Sequence, residues 1–540
     1  MKKTICLALT LAALCGDVLI AQSNSRGSGY DGALYTIGSA TYYGRRGGAY
    51  PNGEIGMAFM NGLCNPGTIN LQWRAPMNED HPKFGFMVAR LQNDRIVQIS
   101  DWSFCKHAFL SLNDPGSYPA ICGTSPCANT SSGSQMYTNC YDVYAAGNNA
   151  SRNYLGPPSE INPWLGTWNH VGSYFDQGYP NVGSPGNNDG ARSPINPTDN
   201  VMNRVTIREQ DLLGAQSGDL VFQIQVLHEG EPAANRDNNI MSRPFHVSWS
   251  GSSWAPQTLG SASHGSIVTR WPGVTTTMGG NGNDDGRFLI GVKVTGPTDG
   301  MWHYEYVVHN IDNDRGGASF SIPVCAGGTV QNIGFRDIDQ DPLDDWAGSF
   351  SGSAVTWTAP ANNPHNWNTL YNYWFDSDIA PSSGLATIAQ ARVGPGALVF
   401  TIPTTVPGLQ PTVNLGAGCG SSVMELRGNG VPTAGNNAFA ITIDGDPTTG
   451  FFLLYSFAPA ATTIAPGCVQ YLNGSLMQTH SFMVTNGSGR ASAALGIPAW
   501  FTLPMDIYWQ AAPLVPGGPV YGGLGLSNGL QVRVNGTGCN

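Results

Sequence analysis

Between Trp302 and Trp346 the chain reads WHYEYVVHNIDNDRGGASFSIPVCAGGTVQNIGFRDIDQDPLDDW, where carboxylates and imidazoles are the side chains with chemistry to offer. The run DIDQDPLDD sets Asp337, Asp339 and Asp341 at alternate positions, with Asp344 and Asp345 close behind. Calcium takes about six to eight oxygen ligands, and carboxylates at alternate loop positions can converge on one ion. Pro342 stands where an EF-hand needs its sharp-turn glycine, and no Glu closes the site, so this is another kind of calcium loop or a solvated acidic turn. Carboxylates this close repel one another unless a cation or Arg336 relieves them, which makes Ca2+ the cofactor that this stretch suggests. Asn310, Asp312, Asn313 and Asp314, and Asn283, Asp284 and Asp285, form two similar runs that equally suit turns.

In HYEYVVH the two-residue period of a strand puts His303, Glu305 and His309 on one face. Imidazole with carboxylate is a ligand pair for zinc, iron or copper. His303 and His309 lie about 20 Å apart at strand rise, too far to share an ion. A transition-metal site therefore needs donors from elsewhere, with His81, His107 and His246 as candidates, and the alternative is hydrogen-bonded structural histidines.

Fourteen tryptophans, all but Trp500 and Trp509 before residue 375, suggest aromatic stacking on the apolar faces of sugars. The densest groups are Trp164 and Trp168 in INPWLGTW, and Trp367, Tyr371, Tyr373 and Trp374 in NWNTLYNYWF. Core packing is the alternative for all of them. The chain has no H-E-x-x-H and no P-loop, and His228-Glu229 lacks a second helical histidine. A glycosidase needs only two suitably separated carboxylates, which leave no mark in one sequence.

The elements that must position these groups are short strands. Charged residues make up 11% of the chain, against an ordinary share of about 25%, while Gly (70) and Pro (37) are abundant. The net charge of −11, with no basic stretch, argues against nucleic acid or an anionic membrane as partner. Residues 1–21 read as a secretory signal, with no apolar run afterwards long enough to span a bilayer. In an oxidising compartment the cysteines should pair within an early group (Cys64, Cys105, Cys122, Cys127, Cys140) and a late one (Cys419, Cys468, Cys539), with Cys325 the candidate for an unpaired or bridging thiol.

Strand signals are strongest in LVFQIQVLH, PFHVSW, RFLIGVKVT, MWHYEYVVHN and ASFSIPV, and FGFMVARLQNDRIVQIS reads as a hairpin turning at Asn93-Asp94. WSFCKHAFLSL, from Trp102 to Leu112, has roughly helical spacing. The long Asn/Gly/Pro/Ser-rich stretch from Asn113 onward needs disulfides or bound ions to hold it. The expected fold class is mainly β: antiparallel β-sandwiches with long disulfide-stabilised loops. The units are a Cys-containing β/loop-rich domain at 22–200, a sandwich at 201–403, a linker at 404–412 and a small β-sandwich module at 413–540.

CNPGTINLQW, DHPKFGFMVARLQNDRIVQIS with KHAFLSL, YLGPPSEINP, HYEYVVHNIDNDR and WNTLYNYWFDSD together resemble a group of large secreted proteins of planctomycete-type bacteria. The late GAGC, GCVQY and SNGLQV runs are similar to a small terminal module common in such proteins. The resemblance implies secretion and this modular architecture, and no activity. The function expected is binding or scaffolding on an extracellular polysaccharide or cell-surface component, with a secreted enzyme, either a polysaccharide hydrolase or a histidine-metal enzyme, as the second class.

Overall fold

The computed structural model describes residues 26–535 except 179–187, 283–285, 326, 340, 409–410, 422 and 431. The expected signal segment and Asn283, Asp284 and Asp285 lie outside the described residues. The fold is mainly β, built from antiparallel sheets packed face to face, as composition and strand spacing require.

The first unit pairs a four-stranded sheet, whose central strand is Gly53–Cys64, with an eight-stranded sheet centred on Lys83–Gln92 and Leu220–Leu227. In LVFQIQVL the alternate residues Leu220, Phe222, Ile224 and Val226 enter the core between the sheets, where Phe222 stacks on Phe59 at 4.4 Å. Fully burying one such side chain contributes roughly 1.5–3 kcal/mol. The division expected at residue 200 is absent. Val205–Arg208 pairs with Gly53–Cys64, and Leu220–Leu227 pairs with Lys83–Gln92 along its whole length, so the first unit runs on past residue 254.

Asn93 and Asp94 both take positive φ, 51° and 60°, and form the tight turn of the hairpin Lys83–Gln92/Arg95–Gln98. Trp102 to Leu112 is not helical. Cys105–His107 is a short strand paired between Lys83–Gln92 and Leu155–Gly156, with all three residues buried. Disulfides Cys64–Cys122 and Cys127–Cys140 hold the long loop region, and Cys419–Cys468 lies in the last module. Of the two alternatives for Cys325, unpaired or bridging, the unpaired one is excluded because Cys325 is disulfide-bonded; among the described residues the free cysteine is Cys105, expected to pair within the early group but buried among apolar neighbours.

The second unit is a sandwich of two five-stranded sheets. One is ordered Thr275–Gly280, Arg287–Thr298, Met301–Asn310, Thr369–Ser377, Val330–Arg336; the other carries Gly317–Pro323 at its centre. Tyr304, Tyr306, Phe320, Tyr373 and Phe375 fill the space between them. The residues expected to begin a linker at Thr404 instead continue the strand Val399–Pro407, paired with Pro381–Gln390. The C-terminal module is a small sandwich of five- and three-stranded sheets around Phe451, Leu453, Trp509 and Val532. Among the described residues no helix is long and apolar enough to cross a membrane.

The first two units share an apolar layer. Met87, Ala89 and Val221 pack with Trp271, Leu289, Val307 and Leu370, which are the outward faces of both sheets. Side chains cap backbone groups across this layer: Asn368 Nδ2 donates to Phe86 O at 3.0 Å, Asn372 Nδ2 to Ile96 O at 3.0 Å, and Gln98 Oε1 accepts from Leu370 N at 2.9 Å. Each satisfies a buried group that would cost free energy if left alone.

Candidate functional site

The aromatic residues expected to form a stacking platform are mostly inside. Trp164 is fully buried with the Arg236 guanidinium 4.4 Å over its ring, Trp168 packs edge-on against His107 at 4.7 Å, and Trp367 is buried and donates to Pro158 O at 3.0 Å. Tyr371 is buried, stacked on His365 at 4.1 Å, and its hydroxyl donates to Asn363 Oδ1. Trp374 lies under Arg95, 3.7 Å from its ring centre. Tyr371 and Trp374 belong to the strand Thr369–Ser377, and Trp164, Trp168 and Trp367 are buried, so these aromatics complete the core and the junction. Among the described residues Trp500, in the C-terminal module, is the tryptophan most open to solvent, at 79%.

The histidine set divides among three places. His81 Nε2 and His107 Nδ1 hydrogen-bond to each other at 2.8 Å inside the first unit, and burial holds both far below the usual imidazole range. His309 is fully buried, bonded to Ser266 Oγ at 2.7 Å and pushed down to about 3 by desolvation. His303 contacts Asp376 Oδ1 through Nδ1 at 2.7 Å and Glu305 Oε2 through Nε2 at 3.3 Å, so opposite ring nitrogens face different carboxylates. Glu305 also takes an ion pair from Arg95 at 2.5 Å, linking the two units. The transition-metal grouping of His81, His107, His303, Glu305 and His309 is therefore not assembled. Hydrogen bonds to Glu305 and then Asp376 outweigh desolvation and raise the pKa of His303.

The acidic loop does converge. One oxygen each of Asp337, Asp339 and Asp344 lies within 4.8 Å of the others, whereas Asp341 and Asp345 stand outside this trio. The loop winds by side-chain turns: Asp337 Oδ1 accepts from Asp339 N, Asp339 Oδ1 from Asp341 N at 2.7 Å, and Asp341 Oδ1 from Leu343 N. Asp337 is buried and accepts from Asn363 Nδ2 at 2.6 Å; desolvation first, then neighbouring carboxylates, lift its pKa to about 6. In the neighbouring run Asp312 is buried and paired with Arg287 at 2.7 Å, so its charge is already compensated by protein.

Beside this loop lies a cleft of about 250 Å³ that local sequence patterns did not reveal. Glu54, Asp101, Trp102, Thr206 and Arg208 of the first unit face Asp339 of the second across it. Strand pairing brings them together: Val205–Arg208 lies against Gly53–Cys64, and Asp101 Oδ1 accepts from Thr206 N at 3.0 Å. Trp102 is fixed from behind by its Nε1 donating to Trp367 O at 2.8 Å. Arg46 pairs with Glu54 at 2.8 Å, and Arg208 with Asp211 at 2.8 Å. A carboxylate-rich wall with one indole can hold hydroxyl or ammonium groups. Three chain segments build it, so no single motif marks it.

A larger recess, about 530 Å³, lies on the three-stranded sheet of the C-terminal module, but its charges close on each other as Arg490–Asp444 and Arg427–Glu425. Gly525–Gly529 spells G-x-S-x-G. Ser527 there is buried, its Oγ accepting from Ala511 N and donating to Asn528 O, both at 2.7 Å, which is a structural role.

No family model matches the chain, and no curated protein matches it. Among solved structures it is similar to BcpA, the major pilin subunit of Bacillus cereus, at 9% identity and a TM-score of 0.17, over 58% of this chain and 77% of that one. It is also similar to the serine-rich repeat protein Srr2 of Streptococcus agalactiae at 11% identity and a TM-score of 0.12, over 48% of this chain and 92% of that one. Scores this low carry no argument about function.

Proposed function

We propose that this chain is a secreted, non-catalytic binding or scaffolding protein that holds an extracellular polysaccharide or cell-surface component at the junction of its first two units. The observation that carries the reading is the cleft bounded by Glu54, Asp101, Trp102 and Asp339. It combines an apolar aromatic wall with hydrogen-bond acceptors, the pairing that suits a sugar ring. The disulfides Cys64–Cys122, Cys127–Cys140 and Cys419–Cys468 support an oxidising, extracellular setting. Ca2+ at Asp337, Asp339 and Asp344 would neutralise the loop that forms one wall of the cleft; Asp341 and Asp345 would add to the local field.

Retention of the full chain on insoluble polysaccharides and on isolated cell envelopes tests the reading. Saturable retention on at least one, competed by soluble oligomer, supports it; failure on every polymer and envelope counts against it. Because the cleft walls carry carboxylates, a hydrolase is the second reading. Release of new reducing ends from a retained polymer would favour the hydrolase over the scaffold.

A further inference from the structure

We infer that the junction cleft selects a sugar carrying a free ammonium group, as in a glucosamine polymer, over neutral N-acetylated or acidic sugars. This rests on the polysaccharide-binding reading above and specifies its ligand. Of the cleft's charged side chains, Glu54, Asp101 and Asp339 are acidic and Arg208 alone is basic. With the acidic loop free of calcium the groups behind them do not reverse that sign: Arg46 sits on Glu54 and Arg336 interacts with Asp211 and Asp337, but Asp211 sits on Arg208, and Asp337 and Asp344 stand behind Asp339, so carboxylates still outnumber guanidinium groups. A cleft lined by one sign of charge with an apolar wall concentrates ligands of the other sign.

The geometry separates an organic cation from a bare metal ion. Among the described residues the trio of carboxylates close enough to share an ion is Asp337, Asp339 and Asp344, to which Glu54 and Asp101 do not belong. Glu54 and Asp101 instead flank open space of about 250 Å³, below the ~300 Å³ at which pockets for drug-sized ligands begin, so the cleft suits one or two sugar rings. Trp102 lines the cleft as its one aromatic side chain, held by its Nε1 donating to Trp367 O at 2.8 Å. Asp101 is preset as an acceptor: one oxygen already takes Ser103 Oγ at 2.6 Å and Thr206 N, which fixes the carboxylate plane.

The test is calorimetric titration of the full chain, in chelator, with glucosamine oligomers, N-acetylglucosamine oligomers of equal length, galacturonate oligomers and a lysine-rich peptide. The expected result is binding of glucosamine oligomers at least tenfold tighter than of the other three, weakening as salt is raised. Glu54→Gln with Asp101→Asn should remove most of that preference; Asp101→Asn keeps an oxygen acceptor for Thr206 N, and an unchanged melting temperature certifies the fold. Equal affinity for the N-acetylated oligomers, tighter binding of the lysine peptide, or a preference that survives the double variant overturns the inference. Retention on a neutral polymer with no ammonium preference would overturn this inference alone and leave the binding reading standing. Failure of every oligomer and every polymer would end both.

Discussion

Calcium should stabilise this protein in a pH-dependent way that one buried carboxylate dictates. Asp337 is raised from 3.8 to about 6, chiefly by desolvation. A shift of that size corresponds to about 3 kcal/mol at 1.36 kcal/mol per unit. The sign follows from the raised folded value: this group's contribution is fully present below its unfolded pKa and is lost as pH rises through about 6. Near neutral pH the folded protein therefore carries an ionised, poorly solvated Asp337 beside Asp339 and Asp344, and a bound cation offsets that cost. At pH 5 a proton already does so. Urea melts of the first two units' transition, with 5 mM calcium or chelator, should show a calcium increment of up to about 3 kcal/mol at pH 7.5 and a much smaller one at pH 5. Asp337→Asn removes the titrating group and should flatten the difference between the two pH values, although its amide now faces the Asn363 amide and costs about 1–2 kcal/mol at both. Equal calcium increments at pH 5 and 7.5, or none at either, would refute the reasoning.

Three further outcomes follow from the junction and the core. His303 titrates above its ordinary 6.5 because Glu305 and Asp376 hold its charged form, so its stabilising effect should be full below that value and fade as pH rises through the folded pKa. His303→Gln should abolish that pH dependence of amide exchange in Arg95–Gln98, and an unchanged profile counts against the link through Arg95. Burial pushes the Cys105 thiol upward, so the native protein should resist thiol reagents at pH 8 and react with one equivalent at this residue only after unfolding; prompt native labelling of Cys105 contradicts its placement. A Cβ at Gly334 would meet the Trp374 indole at 2.1 Å, so Gly334→Ala should displace Trp374 from Arg95 and cost about 1–3 kcal/mol in a urea melt, while a neutral result sinks that packing.

Locally encoded features were legible in the chain. The hairpin turn at Asn93-Asp94 needs two residues tolerant of positive φ, and the residues themselves announce it. The early and late disulfides follow from cysteine grouping, and the mainly-β class from strand spacing. The acidic loop is contiguous, so a cluster there was readable, but not its membership: Asp344 joins Asp337 and Asp339, while Asp341, at the third alternate position, stands outside. Features set by long-range pairing were hidden. Trp164, Trp168 and Trp367 sit among Asn, Pro and Gly, a loop-like context that conceals how those loops fold back over sheets. Val205–Arg208 belongs with Gly53–Cys64 some 150 positions earlier, so a boundary placed by composition at residue 200 cut through a sheet. Cys105 stays free although it was grouped with the early cysteines, for the same reason: which thiol finds a partner depends on distance in space. The cleft is the extreme case, since Glu54, Asp101, Thr206 and Asp339 meet only after two units have folded and docked.

The most direct measurement of the central claim is amide hydrogen exchange of the full chain with and without a retained soluble oligosaccharide. The account predicts added protection around residues 54, 99–102, 206–208 and 338–339, the segments that wall the junction cleft. Protection confined to the C-terminal module around Trp500, with the junction unchanged, would contradict it and move the binding surface to the other end of the chain.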